Sequence, residues 1–297
     1  MTQDKILEIL KKENLQLTER GFFRNKQGVA RVKNEKGEKL ILKTERLEPF
    51  QAKLFQITKE MENELCFRVP AIKSEGKDYF VMEEIGGKSL NEFVEDNPES
   101  VLNISKDIAD DYQKVLAKLL KEEVVEDLLS KGKSWTLGSI LTWSGPIVEA
   151  GLLEYSDIKK VANEMERTIN EKGEDFLGWA HGNIISDHII VKDNDFYLLD
   201  LAIKPRVGRG YYDWLRALDF AFLKTKNTTE FARKIPQWLD KYLPNENRQE
   251  VNLVLANRLL GILGWDILYH KVEYVVGDLE IKKREILKII QNLTDKI

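Results

Sequence analysis

The stretch from Trp179 to Ala202, WAHGNIISDHIIVKDNDFYLLDLA, contains two apolar runs separated by the polar residues KDND. Runs rich in isoleucine, valine and aromatic residues on either side of a short polar turn predict a β-hairpin. His188 begins one arm and Asp200 ends the other, so the two side chains can face each other across one end of the hairpin. An imidazole and a carboxylate in this arrangement can hold a divalent cation, Mg²⁺ or, because histidine is a ligand, Mn²⁺. The alternative is that His188 caps the hairpin by hydrogen bonding to Asp200.

The composition of the 297-residue chain indicates a globular protein with one large domain or two lobes, with 42% hydrophobic and 32% charged residues. A formal charge of -4 gives no electrostatic footprint for nucleic acid. The single cysteine, Cys66, excludes an intrachain disulfide framework, and the charged start MTQDKILEILKKENL is typical of an amphipathic helix rather than a signal peptide. No apolar run is long enough to suggest a membrane span. We therefore expect a cytoplasmic protein with no membrane or nucleic-acid partner.

Hydrophobic periodicity divides the chain into a strand-rich first part, residues 1–84, and a helix-rich remainder, residues 85–297. After an N-terminal helix, GVARVKNEK and EKLILKTE predict a hairpin that turns at Gly37. PFQAKLFQITKEMENEL predicts a helix, and RVPAIKSEGKDYFVMEE predicts two more strands. Beyond Gly87 the pattern is helical, and we expect only the hairpin quoted above to interrupt it. The fold class is α+β.

Two segments of the first part are candidates for binding a nucleotide. Lys43 ends the apolar strand KLILK, where a lysine is costly unless it meets an anion such as a nucleotide phosphate. The alternative is an edge lysine that reaches water. In YFVMEEIGGKSL, an apolar strand runs into a Gly-Gly crossing whose backbone groups can bond the edge of a purine, while Val81 and Met82 line an apolar slot. The alternative there is an ordinary strand end.

The order of these features resembles the aminoglycoside phosphotransferase and choline kinase group, small-molecule relatives of the protein kinases. The matching segments are LILK, VMEEIGGKSL, LAKLL, HGNIISDHIIV, YLLDLA and GRGYYDWLRALDF, which extend from about Gly21 to Phe220. The resemblance implies a bilobal protein-kinase-like fold, with a small mainly β N-lobe, a larger mainly helical C-lobe and ATP between the lobes.

Residue by residue, the resemblance places Lys43 on the α and β phosphates and Asp200 on the metal ion that bridges the phosphates. It places His188 where the group usually has a metal-binding asparagine, although macrolide phosphotransferases look similar in using histidine there. The resemblance implies a structural role for Asp213, at the start of a helix that supports the catalytic loop.

The resemblance places an adenine hinge on Met82, Glu83 and Glu84. Two features depart from the group's pattern in this first part. The phosphate loop GFFRNKQG is poor in glycine, and the helix acid that should meet Lys43 falls nearest to Gln51.

A third departure is Asn183, which occupies the position of the catalytic aspartate. An amide can orient a substrate hydroxyl but has no useful basicity, and loss of a general base typically costs ~10² to 10⁴-fold in rate. Positioning and metal electrostatics remain, so slow turnover is reasonable. Asp187, four residues further on, offers a replacement carboxylate or metal ligand. Alternation beside His188 on a strand argues against this, because adjacent residues then point to opposite faces.

Two hypotheses follow from these residues. The first is a phosphotransferase that uses ATP with Mg²⁺, or Mn²⁺, to phosphorylate a hydroxyl of a small polar molecule. The second is a pseudokinase that binds the nucleotide as a scaffold module. The acids Glu149, Glu154, Asp219 and Glu273 can attract a cationic acceptor, or can simply be solvated. The sequence indicates neither the acceptor nor the oligomeric state.

Overall fold

The computed structural model describes residues 3–22, 28–45, 49–122, 128–269 and 275–295. The chain divides into two compact units. The first consists of residues 1–88 and 190–201, and the second of residues 89–189 and 202–297. The boundary expected at residue 84 differs from this division because a later hairpin joins the first unit, where its strands extend a sheet.

The first unit contains two helices and most of the strands. Its elements are α1 (Gln3–Lys12), β1 (Gln16–Phe22), β2 (Val29–Lys33), β3 (Lys39–Lys43), α2 (Pro49–Glu60), β4 (Phe67–Arg68), β5 (Ile72–Gly76), β6 (Tyr79–Glu83), β7 (Lys88–Ser89), β9 (Ile189–Lys192) and β10 (Asp195–Leu198), apart from Ser89 and Ile189, which fall in the second unit. One sheet has the strand order β1-β2-β3-β6-β5 with all neighbours antiparallel.

Alternation on this sheet buries one face against α1. Leu40 and Leu42 of β3 and Val81 of β6 pack with Ile6 and Ile9 of α1 in one apolar core. Lys43 and its cross-strand partner Phe80 are offset by one residue from this set, so they lie on the other face.

The predicted hairpins of the first unit are confirmed. Gly37 turns the chain between β2 and β3 with a φ of 79°, a conformation that glycine adopts without strain. The Oδ1 of Asn34 accepts hydrogen bonds from the backbone of Lys36 and Glu38 in the same turn. The second sheet has the order β4-β10-β9-β7, with β10 parallel to β4. Its β9–β10 turn places Asp193 and Asn194 at positive φ, as a two-residue hairpin turn requires.

The second unit is mainly helical. Its elements are α3 (Pro98–Glu122), α4 (Leu128–Glu149), α5 (Tyr155–Lys172), β8 (Leu177–Ala180), a 3₁₀ helix (Ser186–His188), β11 (Lys204–Val207), α6 (Tyr212–Lys224), α7 (Thr228–Tyr242), α8 (Arg248–Gly261), which continues as a π-helical segment (Ile262–Tyr269), and α9 (Leu279–Thr294). The antiparallel pair β8–β11 was missed by the expectation of a single strand pair. These two four-residue strands are not joined by a turn, so no local signal marks their pairing.

The expectation that no apolar run reaches membrane-span length also needs correction. Within the described ranges, Arg248–Tyr269 is long and apolar enough to cross a bilayer, with a mean hydropathy of 1.4. The value refers to an 18-residue stretch of this helix, and 83% of that stretch is buried inside the protein. A core helix that is apolar on all sides passes the same test.

Candidate functional site

Lys43 and Asp200, which are 157 positions apart in the chain, form an ion pair in the first unit. Lys43 ends β3 on the face opposite α1, and Asp200 lies two residues beyond the end of β10. The side chains are 15% and 32% exposed, so the lysine is mostly withdrawn from water. The reading of Lys43 as an edge lysine that reaches water is therefore not supported, and its amine meets a carboxylate.

Helix α2 supplies no acid at the position that the resemblance assigned to one. Gln51, in its first turn, instead donates a hydrogen bond from Nε2 to the backbone oxygen of Leu201 at 3.1 Å. The amide thereby fixes the chain directly after Asp200. Among the described residues, the acid in an ion pair with Lys43 is Asp200.

At the end of β6, which was expected to form an adenine hinge, the backbone N–H groups already donate hydrogen bonds within the protein. The N–H of Glu83 donates to the oxygen of Ala71 at 2.9 Å, and that of Glu84 donates to the oxygen of Lys39 at 3.1 Å. Arg31 also pairs with Glu84 at 2.8 Å. Any backbone N–H that bonds a purine would therefore come from residues after Glu84.

Val81 and Met82 were expected to line one apolar slot, but they lie on opposite faces of β6. Val81 belongs to the core against α1, whereas Met82 pairs with Ile41 and shares the face of Lys43. Adjacent strand residues must point in opposite directions. Of the two, Met82 is the residue placed to contact a ligand beside Lys43.

In the second unit, β8 leads into the loop 181–185, whose backbone is held by Asp213. This carboxylate is fully buried and accepts hydrogen bonds from the N–H of His181 at 2.9 Å and of Gly182 at 2.7 Å. Burial raises the pKa of Asp213 from 3.8 to about 6, although the two backbone donors oppose this shift. Gly182 has a φ of 79°, which allows the loop to turn at this point. The structural role implied for Asp213 is confirmed.

The side-chain amide of Asn183 lies between Arg216 and His188. Its Oδ1 accepts a hydrogen bond from Nε of Arg216 at 3.3 Å, and its Nδ2 lies 3.4 Å from Nδ1 of His188. The same His188 nitrogen lies 3.3 Å from the Asn183 backbone oxygen, to which it donates in one tautomer. In that tautomer Nε2 carries the lone pair that a metal ion needs.

Arg216 was not identified from the sequence, although it lies three residues after Asp213 on α6. Its Nη1 donates to Asp219 at 2.6 Å, and Arg258 donates to the same buried carboxylate at 2.6 Å. Arg258 also bonds the hydroxyl of Tyr212 at 3.1 Å. This network connects Asn183 to four helix positions, three on α6 and one on α8, and fixes its amide oxygen.

Three of the four acids proposed to attract a cationic acceptor lie within the described residues. Asp219 is buried and paired with two arginines, so it neither attracts a ligand nor is solvated. Glu149 and Glu154 are exposed. Glu273 falls outside the described residues, as does most of the GFFRNKQG segment.

Asp187 and His188 lie on the 3₁₀ helix Ser186–His188, not on a strand. The alternation argument against Asp187 therefore rested on the wrong element, since β9 begins only at Ile189. The Asp187 carboxylate lies 3.5 Å from Nζ of Lys224 and is 39% exposed. The Lys224 side chain is only 10% exposed, but the carboxylate itself is partly solvated.

His188 belongs to the second unit and Asp200 to the first. Among the residues that the structure describes, no group of three or more His, Cys, Asp or Glu side chains is gathered as in an all-protein metal centre. Mg²⁺ in phosphoryl-transfer sites is held by one or two protein ligands together with phosphates and water. A carboxylate such as Asp200 has the chemistry that this mode of binding needs.

No protein-family model matches the sequence, and no curated protein matches it. Solved structures match along almost the whole chain. An aminoglycoside phosphotransferase from Alicyclobacillus acidocaldarius is 12% identical, with 95% of each chain covered and a TM-score of 0.55. An amicoumacin kinase in complex with AMP-PNP and Ca²⁺ is 12% identical, with 100% of this chain and 94% of that chain covered and a TM-score of 0.54.

A Plasmodium vivax ethanolamine kinase is 12% identical, with 100% of this chain and 87% of that chain covered and a TM-score of 0.52. These matches show that the chain has the fold of the small-molecule kinases. The α+β, protein-kinase-like architecture predicted from the sequence, mainly β at the start and helical beyond it, is confirmed at the level of the fold.

Proposed function

We propose that this protein is an ATP-dependent phosphotransferase that transfers the γ-phosphate to a hydroxyl group of a small molecule. The observation that carries the proposal is the Lys43–Asp200 ion pair, which joins residues from two distant chain segments. It brings together the two charges that a metal-bound nucleotide needs, an amine for phosphate and a carboxylate for a cation. The fold shared with small-molecule kinases supports the same assignment.

Asp200 and His188 are the residues that would hold Mg²⁺ or Mn²⁺. When bound, the cation would neutralise charge on the phosphate oxygens. Lys43 would bind the α and β phosphates, and Met82 would pack on the adenine with the backbone beyond Glu84 bonding its edge. Gln51 would keep Asp200 in place through the Leu201 carbonyl.

Asn183 would position the acceptor hydroxyl without taking its proton, because an amide has no useful basicity. Its amide oxygen is oriented by Arg216, and the backbone of the two residues before it is held by Asp213. The rate would then come from positioning and electrostatics, which carry most of phosphoryl transfer. We propose a slow enzyme rather than a nucleotide-binding scaffold.

The test is a thermal-shift titration with ATP and Mg²⁺ or Mn²⁺. We expect millimolar ATP with metal to raise the melting temperature, because a ligand that binds only the folded state stabilises it. Lys43→Ala and Asp200→Ala should abolish most of the shift and leave the apo protein folded. Lys39→Ala, an exposed lysine on the same strand, is the matched control and should shift as the wild type does.

Absence of any shift in the wild type with either metal would contradict the nucleotide site. A shift without release of ADP against any hydroxyl compound would instead support the scaffold hypothesis.

A further inference from the structure

A cavity of about 600 Å³ lies in the second unit between the start of α4 and strand β11. Its lining includes Ser130, Lys131, Ser134 and Trp135 from the helix, and Lys204 and Arg206 from the strand. Three of these side chains are basic, and none of the described lining residues is acidic. The cavity therefore offers positive charge beside an aromatic ring.

Arg206 is built into this cavity rather than placed on the surface. Only 6% of the residue is exposed, and its guanidinium carbon lies 3.5 Å from the centre of the Trp135 ring. Trp135 in turn packs edge-on against Trp143, with ring centres 6.3 Å apart. Nη1 donates to the Pro205 oxygen at 2.8 Å, while the buried Nε has no hydrogen-bond partner. A buried cation with an unsatisfied donor is costly unless an anion offsets the charge.

Asp213 does not offset the charge of Arg206 by direct contact. The positive charges of Arg206 and Lys204 act on the Asp213 carboxylate through space and lower its pKa. Its two oxygens, however, accept the backbone N–H groups of His181 and Gly182. Among the described residues, Arg206 forms no ion pair with a carboxylate, although Asp213 and the Tyr212 hydroxyl act on its charge.

Strand pairing connects the basic wall of the cavity to the loop that carries Asn183. Strand β11 pairs with β8, with Lys204 opposite Ala180, and β8 runs directly into the loop. A Cβ placed on Gly182 would lie 3.1 Å from Cδ of Lys204 and 3.2 Å from Nε of Arg206. Gly182, the residue before Asn183, therefore packs against two basic side chains of the cavity wall.

We propose that the acceptor is an anionic alcohol, a hydroxyl compound that carries a phosphate or carboxylate group, bound by Lys131, Lys204 and Arg206 with its carbon skeleton against Trp135. This proposal rests on the phosphotransferase function proposed above. In the reaction, the acceptor oxygen forms a bond to Pγ as the bond from Pγ to the β,γ-bridging oxygen breaks. ADP leaves with that electron pair, and the hydroxyl proton passes to water.

The experiment compares three sugars that share one ring but differ in charge. Calorimetric titrations of the wild type use inorganic phosphate, glucose 6-phosphate, neutral glucose and cationic glucosamine. We expect phosphate and glucose 6-phosphate to bind, and glucose and glucosamine to bind at least about 10-fold more weakly. Failure of both anions to bind, or equal binding of the three sugars, would overturn the proposal.

Lysine variants test whether the anion binds in this cavity. Lys131→Ala combined with Lys204→Ala should weaken binding of glucose 6-phosphate by about 10-fold, since two exposed charges are lost. Lys133→Ala is the matched control on the same helix, because its amine pairs with Glu166 and Asn170 outside the cavity. Lys43→Ala should also retain phosphate binding, which separates this cavity from the nucleotide site. Unchanged binding in the double variant would overturn the proposal.

The two proposals fail in different ways. ADP release with glucose or glucosamine but not with glucose 6-phosphate would overturn the anionic acceptor and leave the phosphotransferase standing. Phosphate binding that depends on Lys131 and Lys204, without any stabilisation by ATP, would support the anion site and contradict the phosphotransferase.

Discussion

Asn183 lies where its amide meets two different groups, the guanidinium of Arg216 at Oδ1 and the imidazole of His188 near Nδ2. The amide oxygen accepts from Arg216 in either tautomer of His188, whereas Nδ2 can donate to Nδ1 only when the imidazole proton is on Nε2. A carboxylate at the same position would keep the contact to Arg216 and would accept a hydrogen bond from a protonated His188 Nδ1. The local structure therefore tolerates aspartate as well as asparagine.

Asn183→Asp should raise kcat on the true acceptor, or basal ATP hydrolysis, by about 10-fold, because a carboxylate can take the hydroxyl proton. The neighbouring Arg216 limits the gain, since a guanidinium favours the charged, less basic carboxylate. Steady-state ADP release, with the KM for ATP measured in parallel, checks this prediction. Asn183→Ala is the control for positioning and should lower kcat.

Two results would point elsewhere. Weaker ATP binding in Asn183→Asp without added turnover would favour a binding-only site. Loss of activity in Asp187→Asn, with little effect of Asn183→Asp, would transfer the role of base to Asp187.

Asp213 makes the stability of the protein depend on pH in a definite direction. Its folded pKa of about 6 lies above the ordinary value of 3.8 because the carboxylate is buried. The contribution of Asp213 to the free energy of unfolding is therefore fully present below about pH 4 and is lost as the pH rises through 6. A shift of roughly 2 units corresponds to at most about 3 kcal/mol.

Asp213→Asn removes this titration. We expect the stability of the wild type minus that of the variant to fall between pH 4 and pH 7. Urea denaturation at several pH values measures this difference. A difference that stays constant over the range would show that Asp213 keeps an ordinary pKa in the folded protein.

At the scale of elements, the crossing after β6 depends on a glycine. Gly87 has a φ of 138°, and a Cβ there would overlap the backbone oxygen of Val191 in the neighbouring strand. The sequence indicated the Gly-Gly pair as a flexible crossing. At its second residue, Gly87, glycine is needed because any larger side chain would collide with Val191. The strand β9 needs this space to lie close to the crossing.

Helix α9 is attached to the core by a buried lysine. Lys282 is fully buried and donates to the backbone oxygens of Phe222 and Thr225, both at 2.7 Å, and to the Thr228 hydroxyl at 3.1 Å. These acceptors lie at the end of α6 and the start of α7. Burial lowers the pKa of Lys282 to about 8, so the side chain is still mostly charged at neutral pH.

Lys282→Met should reduce the free energy of unfolding by about 2–3 kcal/mol, since it leaves carbonyl groups buried without donors. Chemical denaturation monitored by circular dichroism measures this change. Lys288→Met, on an exposed position of the same helix, should change stability by less than about 0.5 kcal/mol. Equal effects of the two substitutions would contradict the anchoring role.

At the scale of the whole molecule, the first unit is assembled from two chain segments separated by more than 100 residues of the second. The hairpin 190–201 contributes β10, which pairs with β4, and the residue that pairs with Lys43. A single cut near residue 84 would remove both from the unit that they complete. No single cut can therefore divide the chain into its two units, because the first unit consists of two separate segments.

The sequence by itself determined the local elements and their order. The β2–β3 and β9–β10 hairpins follow from strand runs next to turn residues such as Gly37 and Asn194, and α2 follows from helical spacing. These signals act within a few residues, where backbone preference and side-chain alternation are decided. The ordered set of segments was also enough to predict the kinase-like fold.

Only the tertiary structure decided which side chains meet. The pairing of Lys43 with Asp200, the contact of Arg216 with Asn183 and the β8–β11 strand pair join residues that lie far apart in the chain. The assignment of Val81 to the core face and Met82 to the face of Lys43, and the 3₁₀ turn at Asp187, depended on the exact register and end of a strand. A one-residue change in register reverses every side chain on a strand, so such details follow from packing against distant residues rather than from local sequence.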